Sequence, residues 1–246
     1  MVKIRKIFLL FVFCVLTVSS YSLENADSTR HKLKAGATFS INSNGIASVP
    51  AFSLGRPAVM ASVNLAKSWF SYDPTLAYGL DGRPWFIDNW FHVKLINKTA
   101  FELRTGVNIS SYCSKFEVPD GEVLHVERYF AFELAGTYHF SPVTSLLLSY
   151  WSDNGQEAES LKGHYINLVG ERSDIPLGTR VLLAVDLQVF YINYTGENDG
   201  LFVAPRIAAS IRKIPFSLFF QATQSIVSNI EPFPGFNWNV GLAYSL

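Results

Sequence analysis

The chain ends in the stretch FNWNVGLAYSL, residues 236–246, in which large and small side chains alternate without interruption. The bulky apolar or aromatic residues are Phe236, Trp238, Val240, Leu242, Tyr244 and Leu246. The residues between them, from Asn237 to Ser245, are small or polar. A period of two is typical of a β-strand and places all the bulk on one surface. Such a strand suits a soluble β-fold with its apolar face inward, or a membrane barrel with that face toward lipid.

The first 22 residues form a separate unit. Lys3, Arg5 and Lys6 precede an apolar run over 7–18, and small residues follow at 19–22. This order is typical of a signal peptide, and about a dozen apolar residues fall short of the roughly 20 that a spanning helix requires. We therefore predict a cleaved signal peptide over 1–22, a short periplasmic linker over 23–31 and one domain over 32–246.

The remaining composition excludes several classes of function. Without residues 1–22 the chain keeps 17 basic against 20 acidic residues, a net charge of −3. No basic surplus indicates a nucleic-acid partner. Only Cys113 remains, so neither an intramolecular disulfide nor a cysteine metal site is expected. The chain is nevertheless 49% hydrophobic and 15% aromatic, which short β-segments must accommodate.

Alternating segments follow one another along the whole domain. The predicted strands cover 32–42, 58–66, 69–80, 85–96, 101–112, 127–140, 145–151, 164–171, 180–194, 201–212, 216–228 and 236–246. Many approach the 9–11 residues of a tilted membrane strand. The odd-numbered connections are mostly long and polar and the even-numbered ones mostly short, an arrangement found in outer-membrane barrels. We therefore predict an all-β, transmembrane antiparallel up-and-down barrel of about twelve strands, within a range of roughly 10–14.

These features together resemble the small outer-membrane β-barrels of Gram-negative bacteria. The resemblance rests on the signal peptide, the strand pattern and the terminal strand, where Leu246 replaces the usual aromatic end. It implies location in the bacterial outer membrane, contact with lipid and lipopolysaccharide, and recognition of Trp238, Val240, Leu242, Tyr244 and Leu246 by the barrel-assembly machinery. Aromatic residues near strand ends are expected to form membrane-interface belts, with Trp69, Trp85, Phe140, Tyr194 and Phe236 as the main candidates.

Charged residues of both signs fall on the faces predicted to line the lumen. The main candidates for a lumen charge network are Lys94, Glu102, Arg104, Glu133, Asp186 and Arg206. Such a network either supports the wall as neutral ion pairs across the lumen or forms a constriction that selects small solutes. We therefore predict a non-enzymatic barrel, either a narrow passive channel for small polar solutes or a structural barrel, with no cofactor and no metal.

Two other functions stay open as alternatives. A lipid- or lipopolysaccharide-modifying enzyme of the outer membrane resembles barrels with a His-x-Ser pair, a spacing that occurs here at His139-Phe140-Ser141. Ser141 precedes Pro142 in a turn at the short-turn rim, whereas such an enzyme needs its nucleophile near the loops. A soluble exported β-barrel that binds an apolar ligand would need its apolar faces inward.

The predicted long loops are acidic. They carry Glu117, Asp120, Glu122, Asp153, Glu157, Glu159, Glu197 and Asp199, with few balancing cations. These carboxylates serve either solubility or the bridging of divalent cations to lipopolysaccharide phosphates.

Overall fold

A computed structural model describes residues 32–118, 121–157, 160–195, 198–231 and 235–246. The predicted signal peptide over 1–22 and linker over 23–31 lie outside the described residues and stay predictions. Among the residues described, no helix is long and apolar enough to cross a membrane. These residues form twelve strands: β1 Lys34–Asn42, β2 Ala58–Lys67, β3 Phe70–Gly79, β4 Pro84–Asn97, β5 Phe101–Val118, β6 Gly121–Ser141, β7 Thr144–Gly155, β8 Lys162–Leu177, β9 Val181–Tyr194, β10 Asn198–Ile211, β11 Phe216–Ser228 and β12 Phe236–Ser245.

Each strand pairs antiparallel with its neighbours in sequence, and β1 pairs with β12 to close the barrel. The twelve predicted strands and the up-and-down order are confirmed. The largest difference is at β5 and β6, which reach 18 and 21 residues and continue well past the predicted ends at 112 and 127. The apolar–polar alternation used to find strands is imposed by lipid, and it is lost where a hairpin rises into water.

The apolar faces point outward. On β6, Phe130, Phe132 and Leu134 are 44–49% exposed, whereas Glu133 and Ala135 between and beside them are each 2% exposed. This is the wall of a barrel embedded in lipid, and it is the reverse of the inward apolar lining that a soluble ligand-binding barrel requires. That alternative is therefore wrong.

Polar side chains on the inner face of β12 fasten the closing seam. Asn239, which is almost fully buried, donates from Nδ2 to Oδ1 of Asn42 at 2.9 Å. Its own Oδ1 accepts hydrogen bonds from the Ser43 hydroxyl at 3.3 Å and the Asn44 backbone N–H at 3.2 Å. Asn44 also donates to Asn237. The small, polar face of the terminal strand thus joins the two ends of the sheet.

The connection between β1 and β2, residues 43–57, folds into the lumen. It forms a small hairpin of its own, in which Ile46 pairs with Ser53 and the Ala47 N–H donates to the Phe52 carbonyl at 2.9 Å. Ala47 packs in a buried cluster with Ala58, Ala77, Trp85 and Phe86. Ala51 packs in a second cluster with Tyr165, Phe190, Ile192, Phe202, Ala204 and Ile230.

These two clusters lie on opposite walls. The first belongs to β2–β4 and the second mainly to β8–β10, and β3 and β9 are six places apart in a ring of twelve strands. The loop 43–57 therefore crosses the lumen on the side away from the short turns.

Candidate functional site

The six charged residues predicted to line the lumen form three ion pairs between neighbouring strands. Lys94 of β4 meets Glu102 of β5 at 2.5 Å, and Arg104 of β5 meets Glu133 of β6 at 3.0 Å. On the other side of the barrel, Arg206 of β10 meets Asp186 of β9 at 3.2 Å. Each partner lies on the adjacent strand along the wall, so the three pairs do not span the lumen.

The Arg104–Glu133 pair belongs to a larger cluster. Glu133 is 2% exposed and accepts hydrogen bonds from Arg104 Nε, from Arg104 Nη2 at 3.3 Å and from Trp151 Nε1 at 2.9 Å. His92 contacts Glu133 through Nε2 at 3.1 Å and Asp73 through Nδ1 at 2.8 Å. The two ring nitrogens of His92 therefore lie within hydrogen-bond distance of two different carboxyl groups, one on β3 and one on β6.

The lumen-facing positions of His92 and Asp73 follow from strand parity, but their contact does not. The contact between His92 and Glu133 depends on Gly106 of β5, which pairs with His92 of β4 on one side and with Glu133 of β6 on the other. A Cβ atom at this position would lie 2.5 Å from His92 Cδ2. The glycine therefore leaves the space through which His92 reaches across β5 to Glu133.

Arg206 has a second partner in addition to Asp186. Its guanidinium carbon lies 5.1 Å from the centroid of the Phe219 ring, a cation–π geometry. Phe219 in turn lies over Gly241, where a Cβ would approach the ring to 2.3 Å. The cation is thus held against the wall by an aromatic ring that a glycine of β12 accommodates.

Aromatic rings line the lumen on the side of loop 43–57, and the sequence did not predict this. Trp90 stacks on His92, with centroids 5.3 Å apart, and contacts Trp151 at 4.9 Å. Trp151 contacts Tyr165 at 4.7 Å, and a stacked pair of Phe190 and Phe202 continues the series. The available signal was β4, which is aromatic on both faces, so one set of rings had to point inward.

Two residues predicted for the membrane interface belong to this inner surface instead. Trp85 is buried in the cluster around Ala47, and Tyr194 packs against the cluster around Ala51. The prediction is wrong for both. Tyr194 has the inward parity of Asp186 and Gln188 on β9, and Trp85 lies where the pairing of β3 and β4 shifts register. Trp69, Phe140 and Phe236 are exposed on the outer surface near strand ends, where their interfacial role stays a prediction.

The outer face of β12 presents the residues predicted to act as an assembly signal. Trp238, Val240, Leu242 and Leu246 are exposed, and Tyr244 packs on Phe216 with ring centroids 5.0 Å apart. Their position on the lipid-facing wall follows from the period of two.

Two of the described acidic residues on the loop side, Glu122 and Glu157, have basic partners that the sequence did not indicate. Glu122 meets Arg83 at 2.9 Å and also pairs with Lys115, and Glu157 meets Arg128 at 2.8 Å. Hydrogen bonds from the Arg128 backbone and side chain lower the pKa of Glu157. The expectation of few balancing cations is therefore wrong for these residues. Asp120, Glu159 and Glu197 lie outside the described residues.

The spacing His139-Phe140-Ser141 lies at the short-turn rim, as predicted. The Ser141 hydroxyl accepts a hydrogen bond from the Val143 N–H at 3.3 Å, and Phe140 between the two points outward. Within the described ranges, no group of three or more histidine, cysteine or acidic side chains is placed to hold a metal ion.

Comparisons with solved structures agree with this architecture. No protein-family model and no curated protein sequence matches the chain. A structure of the KdgM porin in complex with disordered oligogalacturonate matches with a TM-score of 0.55 and 8% identity, over 86% of this chain and 99% of that chain. A second KdgM porin structure gives a TM-score of 0.54 and 10% identity over 86% and 99% of the two chains. An outer-membrane channel from Pseudomonas putida F1 gives 0.49 and 12% identity over 90% and 99%. The chain has the fold of the small outer-membrane β-barrels of Gram-negative bacteria.

Proposed function

We propose that this protein is a non-enzymatic channel of the bacterial outer membrane that passes small polar solutes. The observation that supports the proposal most directly is the solvent exposure of charges inside a closed wall. The side chains of Lys94, Arg104 and Arg206 point inward and yet remain 33%, 33% and 37% exposed. Since β1 and β12 close the barrel, this exposure is to the lumen, and a lumen with room for water at charged groups suits polar solutes.

The pairing of these charges bears on which solutes fit. Each of these three cations faces a carboxylate on the adjacent strand, so positive and negative charges alternate at these positions of the wall. One of the similar porin structures holds oligogalacturonate, an acidic oligosaccharide. The paired cations of this chain favour solutes without net negative charge instead, because Arg104 and Arg206 are already engaged by Glu133 and Asp186.

We also propose that the outer wall contacts lipid and lipopolysaccharide, and that the barrel-assembly machinery recognises the terminal strand. The wide apolar wall and the outward row from Trp238 to Leu246 support both proposals.

Single-channel conductance of the refolded mature chain in a planar bilayer tests the channel. We expect discrete conductance steps, and Arg206→Ala should shift the ion selectivity toward cations because it leaves Asp186 unpaired in the lumen. Arg104→Ala should shift it in the same direction. Arg128→Ala, which removes a cation from the exposed rim, is the matched control and should change selectivity much less.

A protein that inserts, shows heat-modifiable migration and yet never conducts would contradict the channel and favour a structural barrel. Selectivity that responds equally to Arg206→Ala and Arg128→Ala would show that the inward charges do not line the ion path.

A further inference from the structure

A cavity of about 250 Å³ lies between loop 43–57 and the part of the barrel wall on the side away from the short turns. The loop contributes Ser48, Val49 and Phe52. The wall contributes mainly aromatic residues: Trp85, Trp90, Tyr112, Tyr129, Trp151 and Tyr194. The cavity is large enough for a small organic solute, and aromatic side chains outnumber the aliphatic ones of Val49, Ala131 and Leu161 in its lining.

Two carboxyl groups line the same cavity. Asp88 is 3% exposed, and its Oδ2 accepts a hydrogen bond from the Ser48 hydroxyl at 3.0 Å, while Asn108 and Tyr112 add further hydrogen bonds. Asp153 accepts a hydrogen bond from the Asn154 N–H at 3.0 Å. Within the described ranges, neither carboxyl group forms an ion pair with lysine or arginine.

Three other carboxylates of the lumen do have a basic partner. Glu102, Glu133 and Asp186 each have a lysine or arginine on the next strand, as described above. Asp88 and Asp153 have no such partner among the residues that the structure describes, and both line the aromatic cavity. When both carboxyl groups are ionised, no lysine or arginine in the described part of the chain balances their charge in the cavity.

Both features favour a cation. A carboxylate withdrawn from water is stabilised strongly by an opposite charge, and two carboxylates that share a cavity repel each other until a cation lies between them. The faces of tryptophan and tyrosine attract cations through the ring quadrupole, most of all where water is excluded. An anion gains from neither feature, and a neutral solute leaves both carboxylates uncompensated.

We propose that this cavity binds a small organic cation with a substituted ammonium group, held between the Asp88 and Asp153 carboxylates and the surrounding aromatic rings. The cavity lies where loop 43–57 crosses the lumen, so a cation bound there occupies the loop-side entrance. If the site selects solutes for transport, this part of the proposal rests on the proposed channel function. Binding of the cation to the cavity is tested separately and needs no transport.

The test is isothermal titration calorimetry of the refolded mature chain in detergent with choline as the probe. We expect saturable binding of choline, and binding about tenfold weaker for 3,3-dimethyl-1-butanol, a neutral compound of nearly the same shape. Glucose and glucuronate test neutral and acidic sugars under the same conditions, and we expect neither to compete with choline.

Two substitutions locate the site. Asp88→Asn and Asp153→Asn each remove one charge with little change in volume, and each should weaken choline binding. Asp174→Asn removes the same charge from the opposite, short-turn side, where a left-handed φ of 52° is well suited to asparagine, and should leave binding unchanged. Heat-modifiable migration confirms that each variant is folded. If Asp88→Asn does not fold, the proposal is tested by Asp153→Asn and by comparing choline with its neutral analogue on the unaltered chain.

Equal affinity for choline and its neutral analogue would overturn the proposal, and so would preferential binding of glucose or a folded chain that binds no probe. A chain that conducts but does not bind choline would refute this proposal and leave the channel function intact. A chain that binds choline but never conducts would refute the channel and leave the binding site.

Discussion

At the scale of single residues, the lumen depends on glycines that allow large side chains to cross a strand. A Cβ at Gly106 would meet His92 Nε2 and the Phe91 carbonyl oxygen, each at 3.1 Å, in addition to its close approach to His92 Cδ2. The imidazole cannot keep its contact with Glu133 once that space is filled. Gly106 is therefore part of the arrangement that joins Asp73, His92 and Glu133.

Gly106→Ala should consequently destabilise the barrel. We expect a loss of about 1–3 kcal/mol in the free energy of unfolding, the usual cost of overpacking a closely packed site. Urea unfolding of the refolded chain in lipid vesicles measures it.

Gly136→Ala is the matched control. It lies on the opposite face of β6 from Glu133, and a Cβ there would be 3.6 Å from the Phe101 ring, an ordinary contact. This substitution should be neutral or slightly stabilising, because alanine restricts the unfolded chain more than glycine does. Equal stability of the two variants would show that the His92 ring moves aside without cost.

At the scale of elements, the seam between the first and last strands closes the barrel through the shortest ladder among the described strand pairs. The register of β1 and β12 pairs five residues on each strand, from Thr38–Ser245 to Asn42–Gly241. Side chains extend this short ladder, with Asn239 bonded to Asn42, Ser43 and Asn44.

Asn239→Ala should open this seam more readily. The substitution removes three hydrogen bonds and leaves the buried Oδ1 of Asn42 without its Asn239 donor, for which we expect a cost of about 1–3 kcal/mol. The measurement is the temperature at which the folded band disappears in electrophoresis without prior boiling. Asn97→Ala, at an exposed end of β4, should change stability by less than about 0.5 kcal/mol. If both variants lose the folded band at the same temperature, the seam is held by its backbone pairing alone.

Strands and their faces could be predicted from the sequence because lipid outside and a polar lumen inside impose a strict period of two. β12 shows this most clearly, because its bulky residues from Trp238 to Leu242 are exposed on the outer face and the neighbouring Asn237 and Asn239 are buried. What the sequence could not supply was contact between residues distant along the chain. The pairing of His92 with Glu133 depends on strand register, and the burial of Trp85 depends on the path of loop 43–57.

The same limit applies to that loop. The strand pattern predicted a long connection at the loop rim over these residues, but not the direction in which it folds. The small side chains of Ala47 and Ala51 fit against opposite walls, and this complementarity is visible only when both walls are in place.

At the scale of the whole molecule, loop 43–57 determines how wide the entrance to the lumen is. Residues 47–52 form the end of its small hairpin, where the Ala47 N–H donates to the Phe52 carbonyl, and the flanking residues Ile46 and Ser53 are paired with each other. Replacing these residues by a Gly-Gly link therefore closes the chain without pulling on β1 or β2. We expect a severalfold increase in single-channel conductance, because the segment that crosses between the β2–β4 and β8–β10 walls is gone.

A second deletion separates this effect from loop shortening in general. Removing residues 115–124 and closing the chain with Gly-Gly between Ser114 and His125, which face each other across β5 and β6, shortens a hairpin at the rim and leaves the lumen untouched. That variant should keep the original conductance. An unchanged conductance in the first variant would mean that solutes pass beside loop 43–57, and the narrowest point would then lie at the ion pairs formed by Arg104 and Arg206.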